Sequence, residues 1–314
     1  MLQSDPAERP TAMRVARLGD PSSVAVVWPQ ENPLVGRQVE VSEVCRWLDE
    51  IYAGGVGRLH LSGPSGIGKT RLVDDVEKYI RSMRWGQVFR ARCRSRETQP
   101  LQAFDQFCDS IANRYRQGDR EPLELDPVSV TILHDVFPVL RNVVRRSLQL
   151  SPPRASTERL DALEAAARLS YELRNVGPLI LIVDDVQWAD RDSLNVLDRL
   201  QGAGGEIGLG IITVSRDATD AQRVPATRTL PLQPLSRADS ISMLADAARA
   251  WGVPASETVL GDLADAAAGS PFRLHELVDE LKPGGALSQI GVTVRSEDDS
   301  VSRLGRIDWL WQKR

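Results

Sequence analysis

The stretch "GPSGIGKT" holds the residues of this sequence best placed to do chemistry: Gly63, Pro64, Ser65, Gly66, Ile67, Gly68, Lys69 and Thr70, with Arg71 next in line. The chain has 314 residues and 39 lysines and arginines, yet its only lysines are Lys69, Lys78, Lys282 and Lys313. A chain that writes nearly every positive charge as arginine keeps lysine where a compact ammonium on a flexible stem is required. Glycine, four residues, glycine, lysine, then serine or threonine is the spacing of a phosphate-binding loop. In such a loop, backbone N–H groups and the positive end of a helix point at phosphate oxygens. Lys69 then reaches the β- and γ-phosphates of a nucleotide, and the Thr70 hydroxyl ligates Mg²⁺. The alternative, an ordinary glycine-rich turn before a surface helix, gives no reason for the lysine.

Two carboxylates form the next candidate. "GPLILIVDDVQWAD" (Gly177 to Asp190) is a continuous apolar run ending in Asp184 and Asp185. A run apolar on both faces fits a central parallel strand covered by helices. Its C-terminal end is where open α/β sheets bind ligands. Asp184 is expected to hold Mg²⁺ through water, and Asp185 to orient or deprotonate the attacking water. Without a phosphate loop the pair would merely start a turn or cap the helix near Asp192. "LGIITVSRD" (Leu209 to Asp217) ends in Ser215 and Arg216. If that strand lies between the first and third strands, Arg216 projects toward a γ-phosphate; otherwise it is a solvated arginine at a strand end.

These residues need a scaffold. "GRLHLSG" (57–63) reads as the strand leading into the loop, and Leu72, Val73, Val76, Tyr79, Ile80 and Met83 follow at helical spacing. "GQVFRARCR" (86–94) and "RTLPLQPL" (228–235) supply two more strands. Five strands with intervening helices make an α/β fold, a P-loop NTPase with a doubly wound parallel sheet. A helical insertion is expected before the aspartate strand. One helix is marked by Phe104, Phe107, Cys108, Ile111 and Tyr115. A second is marked by Ile132, Leu133, Val136, Phe137 and Leu140, and a third spans 157–175 with Leu160, Leu163 and Leu173 inward. After Leu235 three helices are expected: one capped by Ser236, one at 256–268 ending at Gly269, and one opened by Pro271. This bundle reads as a lid over base and ribose, with His275 on its surface.

Composition narrows the classes. Apolar content of 42% and charged content of 26% are those of a soluble globular protein of about two domains. A net charge of −4 argues against a general nucleic-acid binder. Cys45, Cys93 and Cys108 show no metal-like clustering, and a reducing compartment is expected. The N-terminus lacks the apolar core of a signal peptide, and the run "LILIV" is too short to span a bilayer. A cytoplasmic protein without membrane contact is expected.

Four pieces, "LVGR" (34–37), "GPSGIGKT", "LILIVDDVQWAD" and "GSPF" (269–272), together resemble the AAA-like ATPase module of signal-transduction NTPases with numerous domains. The origin-recognition-complex-like AAA ATPase domain is the nearest name, and the resemblance runs from about Asn32 to Leu281. It implies ATP and Mg²⁺ as ligands, with Leu34, Val35, Gly36 and Arg37 against the adenine. It also implies that Gly269 and Pro271 close from the lid and that Arg216 acts as a sensor. Gln38 and Gln187 stand where many relatives have glutamate and histidine, which leaves the efficiency of hydrolysis open. "SDPAERPTAMRVARLG" (4–19) resembles the last helix of a bacterial serine/threonine kinase domain, without any kinase catalytic motif in this chain. Ile307, Leu310 and Trp311 begin an apolar stripe that wants a partner.

The resulting expectation has four parts. Residues 1–29 are a linker with a kinase remnant, 30–235 the ATPase core, 236–283 the lid, and 284–314 a linker into a following domain. The function expected is a slowly hydrolysing ATP/ADP switch controlling a covalently attached kinase or output domain. An ATP-dependent interaction module without turnover and an oligomeric AAA motor are the alternatives.

Overall fold

Uninterrupted apolar runs set the centre of this fold. The structure, a computed structural model, describes residues 34–82, 87–95, 100–117, 121–147, 158–202, 208–217, 225–253 and 255–281. The chain forms α1 (Gln38–Tyr52), β1 (Val56–Ser62), α2 (Lys69–Ser82), β2 (Gln87–Arg92), α3 (Gln102–Gln117) and β3 (Leu123–Leu125). It continues through α4 (Pro127–Val136), β4 (Val144–Arg146), α5 (Glu158–Val176), β5 (Leu179–Asp184), α6 (Arg191–Gly202), β6 (Leu209–Val214) and β7 (Arg228–Pro231). Three helices follow: α7 (Arg237–Ala250), α8 (Glu257–Ala267) and α9 (Pro271–Leu281).

Five strands form one sheet in the order β2-β5-β6-β1-β7, and every neighbouring pair is parallel. All six residues of β5 and all six of β6 are buried, as their apolar runs require of central strands covered on both faces. Alternate residues then divide between two layers. Leu179, Leu181 and Val183 of β5 join Phe89, Leu209 and Ile211 in a cluster with the insertion and α6. Ile180 turns the other way, where a Cβ on Gly210 would meet it at 2.6 Å and Trp47 of α1 at 2.7 Å. β6 lies between β5 and β1, so the condition attached to Arg216 is met.

The insertion between β2 and β5 is helical, with two differences from expectation. The second apolar stripe does not stay in one helix: α4 ends at Val136, and Phe137 and Leu140 lie beyond it, in and beside a 3₁₀ turn at Pro138–Asn142. Pro138 is the cause, because a proline disfavours helical backbone in the residue before it. Two three-residue strands, β3 and β4, pair in parallel where no strand was expected; they are too short to leave a periodic signal. Asp126 starts α4 by accepting from the backbone of Val128 and Ser129 and pairs with Arg168 of α5 at 2.8 Å. Leu163 and Leu173 are buried as expected, while the side chain of Leu160 lies outside the described residues.

The last three helices form a bundle around Leu244, Leu260, Leu263, Ala267, Leu274 and Leu277. Ser236 caps α7 by accepting from the Asp239 amide, and Ser256 caps α8 through Val259. Cys45, Cys93 and Cys108 are buried. Among the described residues no helix is long and apolar enough to cross a membrane. The kinase-like stretch at 4–19, Met83 and the stripe at 307–311 lie outside the described residues.

Candidate functional site

The phosphate-type loop leaves the end of β1 and enters α2 at Lys69, the strand–turn–helix order its spacing demands. Gly66 sits at φ +79, a conformation glycine adopts at little cost. It also lies so close to α9 that a Cβ would come within 2.9 Å of Phe272 Cβ. The Lys69 ammonium donates to the carbonyls of Gly63 (2.5 Å) and Pro64 (2.9 Å). Burial pushes the Lys69 pKa down; Asp185 opposes this, Arg216 adds to it, and Asp184 opposes it again. Both aspartates and Arg216 thus lie within electrostatic reach of Lys69. Thr70 and Arg71 are exposed at the start of α2, and Arg71 Nε pairs with Asp75 at 3.1 Å.

Arg37 braces the loop from outside. Only 5% exposed, it donates through Nη2 to the Ile67 carbonyl at 3.0 Å and pairs through Nη1 with Glu40 at 2.8 Å. Its guanidinium thus lies against the loop backbone. Leu34 and Val35 are half-buried, and Gly36 packs on Leu235 and Asp239 at the entry to the bundle.

At the end of β5 the two aspartates diverge. Asp184 is 5% exposed; its Oδ2 accepts from Arg90 Nη2 at 2.8 Å and its Oδ1 from the Asp185 amide at 3.0 Å. Asp185 then turns left-handed, φ 53 and ψ 45, a conformation aspartate tolerates better than most residues. Its carboxylate accepts from Arg92 Nε at 3.2 Å and Gln187 Nε2 at 3.1 Å. Arg90 also pairs with Asp74 of α2. Burial works against the Arg90 charge, but the hydrogen bonds to Asp184 and Asp74 outweigh it and raise its pKa. Asp190 accepts from the amides of Leu101, Gln102 and Ser193 and so ties the start of α3 to α6.

The bundle reaches the loop at one end of α9. The Phe272 amide, an N-terminal helix donor without an intrahelical partner, donates to the Gly66 carbonyl at 3.1 Å. Pro271 Cγ lies 3.7 Å from the place of a Cβ on Gly68. Gly269 (φ +69) makes the turn before α9, where a Cβ would strike the Leu235 carbonyl at 2.4 Å. The Gly269 carbonyl accepts from the Leu235 amide at 2.8 Å. His275 is exposed, as expected.

Sequence reasoning missed Arg90, Arg92, Asp190, His60 and Phe272. Arg90 and Arg92 carried a signal, since two arginines at period two in "FRAR" share one face of a strand. Asp190 and Phe272 act through contacts distant in sequence, which no local pattern shows.

The fold and loop define an α/β P-loop NTPase. The AAA ATPase domain family model matches residues 33–214, more than half of the 314-residue chain, and the chain belongs to that family. Family membership implies nucleotide binding, typically with Mg²⁺. A crystal structure of Cdc6p from Pyrobaculum aerophilum is 17% identical with a TM-score of 0.53, covering 87% of this chain and 65% of that one. A Walker-type ATPase of Pyrococcus abyssi is 16% identical with a TM-score of 0.50, covering 88% and 75%. At these identities both likenesses concern the fold. An uncharacterized protein of Rhizobium meliloti is 25% identical over 229 residues, 65% of this chain. The chain spans only 21% of that relative's length.

Proposed function

We propose that this chain is an ATP-binding, slowly hydrolysing module whose nucleotide state controls the position of residues 236–283, a lid on the core of 30–235. The observation that carries this reading is the hydrogen bond from Phe272 of α9 to Gly66 of the phosphate loop. A change in the loop's ligand changes the partner surface of the lid directly. Arg216 adds a reason for ATP and ADP to differ, since hydrolysis removes the phosphate it would meet. A switch of this kind works only if the nucleotide binds its two states with different affinity.

The residues fit the proposed chemistry. Lys69, the loop from Gly63 to Thr70 and Arg71 would hold the phosphates, while Leu34, Val35, Gly36, Arg37 and Pro271 would border the adenine. Among the described residues no group of three or more His, Cys, Asp or Glu could hold a metal. Mg²⁺ needs no such cage, because it is usually held by one or two protein oxygens with phosphates and waters. The Thr70 hydroxyl and the Asp184 carboxylate supply hard oxygens of that kind, and bound Mg²⁺ would offset charge on the phosphates. Asp185 would take the proton of the attacking water. Its engagement by Arg92 and Gln187 supports slow turnover, because donors already occupy one lone pair on each carboxylate oxygen. The resemblance at 4–19 supports a kinase-linked or transcription-regulator-like signalling setting, and the length of the Rhizobium relative supports a place in a larger protein.

Turnover well below about 10 per second is expected, with hydrogen-exchange protection across 236–281 higher in ATP than in ADP. Equal protection with ATP, with ADP and without nucleotide would leave a nucleotide-binding domain and no switch.

A further inference from the structure

A histidine stands fully buried in the middle of β1, between Leu59 and Leu61. A buried imidazole is costly unless its nitrogens are hydrogen-bonded. Both nitrogens of His60 face hydroxyls of the adjacent strand and its exit: Nδ1 lies 2.9 Å from Thr213 Oγ1 and Nε2 lies 3.1 Å from Ser215 Oγ. Ser215 in turn donates to the Asp217 carbonyl at 2.6 Å. A serine hydroxyl has one hydrogen, and here it is directed at that carbonyl. Ser215 must therefore accept from His60, which puts the ring proton on Nε2 and leaves Nδ1 to accept from Thr213 in the neutral ring. The result is a directed chain from the core of β1 to the turn at 215–217.

That turn carries Arg216. Leu61 pairs with Val214, and the Ser215 amide donates to the Leu61 carbonyl at 3.0 Å. Extending the register brings Arg216 level with Gly63, the first residue of the phosphate loop, in keeping with its electrostatic effect on Lys69.

We propose that His60 is a positioning residue for γ-phosphate recognition: through Ser215 it fixes the turn that presents Arg216 beside the loop. The proposal rests on the reading of Arg216 as the sensor. Fixing the turn holds the long arginine side chain's base in place, so less freedom is lost when it meets the phosphate. The consequence falls on ATP alone, because ADP lacks the group Arg216 contacts. A histidine that merely filled the core would affect both nucleotides alike.

The test is the ratio of ADP to ATP dissociation constants, measured by isothermal titration on the whole chain with Mg²⁺. Arg216→Ala should lower the ratio. Ser215→Ala and His60→Asn, which remove the link from Nε2 to the turn, should lower it by about three- to tenfold, the worth of one net hydrogen bond. ADP affinity should stay unchanged. His60→Gln, whose amide nitrogen can stand in for Nε2, should retain most of the ratio. In an Arg216→Ala background neither Ser215→Ala nor His60→Asn should add to the loss. If Arg216→Ala lowers the ratio while Ser215→Ala and His60→Asn leave it alone, or weaken both nucleotides equally, the proposal falls and the sensor reading stands. A ratio unmoved by Arg216→Ala overturns the sensor reading, and the proposal with it.

Discussion

The sheet core and the C-terminal bundle are built by different means. β5 and β6 are buried along their whole length, and Asp184 and Asp185 at the end of β5 are held by Arg90 and Arg92. The bundle has a separate small core around Leu244, Leu263 and Leu274. It meets the phosphate loop through an amide, a proline and the Phe272 side chain, which is 59% exposed. A body with its own core and few bonds to its neighbour can shift without unfolding, whereas β5 cannot shift without breaking the sheet. On the proposed reading the chemistry sits on the rigid part and the motion belongs to the other.

The first way to press this contrast is to remove the chemistry and leave both bodies intact. Lys69→Ala should weaken ATP binding by about 10²- to 10⁴-fold, two charge-assisted hydrogen bonds at about 1.5–3 kcal/mol each, with an unchanged melting profile. Isothermal titration and calorimetry check the two halves of that statement. The second is to hollow each core in turn. Leu263→Ala and Ile182→Ala should each cost about 2–5 kcal/mol. Leu263→Ala should loosen the bundle alone, seen as raised hydrogen exchange confined to 236–281, while Ile182→Ala should raise exchange everywhere. Uniform exchange in both variants would mean that the two bodies unfold as one.

The third prediction divides the aspartates. Asp185→Asn should leave ATP binding nearly intact and slow phosphate release by about 10²-fold, while Asp184→Ala should weaken binding in Mg²⁺ and little in EDTA. Matching behaviour of the two would reject the division. The smallest effect is expected at the contact between the bodies. Gly66→Ala, at φ +79 and against Phe272, should cost more than about 1 kcal/mol and raise exchange in the first turn of α9 ahead of the rest.

Much of this arrangement was legible beforehand, for physical reasons. Long apolar runs and the loop's fixed spacing are local signals, and they located β1, β5, β6 and the residues from Gly63 to Thr70. The helices of the bundle are marked in the sequence by Ser236, Gly269 and Pro271. Less legible was anything decided by packing across the sheet. Phe137 was drawn into a helix by its spacing, although Pro138 ends that helix. The arginines that hold Asp184 and Asp185 come from β2, which joins β5 only in three dimensions. His60 read as one more strand residue, because its partners Thr213 and Ser215 lie on a strand far along the chain.

The central claim, that nucleotide state is passed to the bundle through the phosphate loop, has a reporter of its own in the Phe272 amide. Its exchange rate, measured by NMR on the whole chain with Mg²⁺, should be slower in a non-hydrolysable ATP analogue than in ADP, and Lys69→Ala should erase the difference. An amide that exchanges at one rate in both nucleotides, with both shown to be bound, would contradict the account.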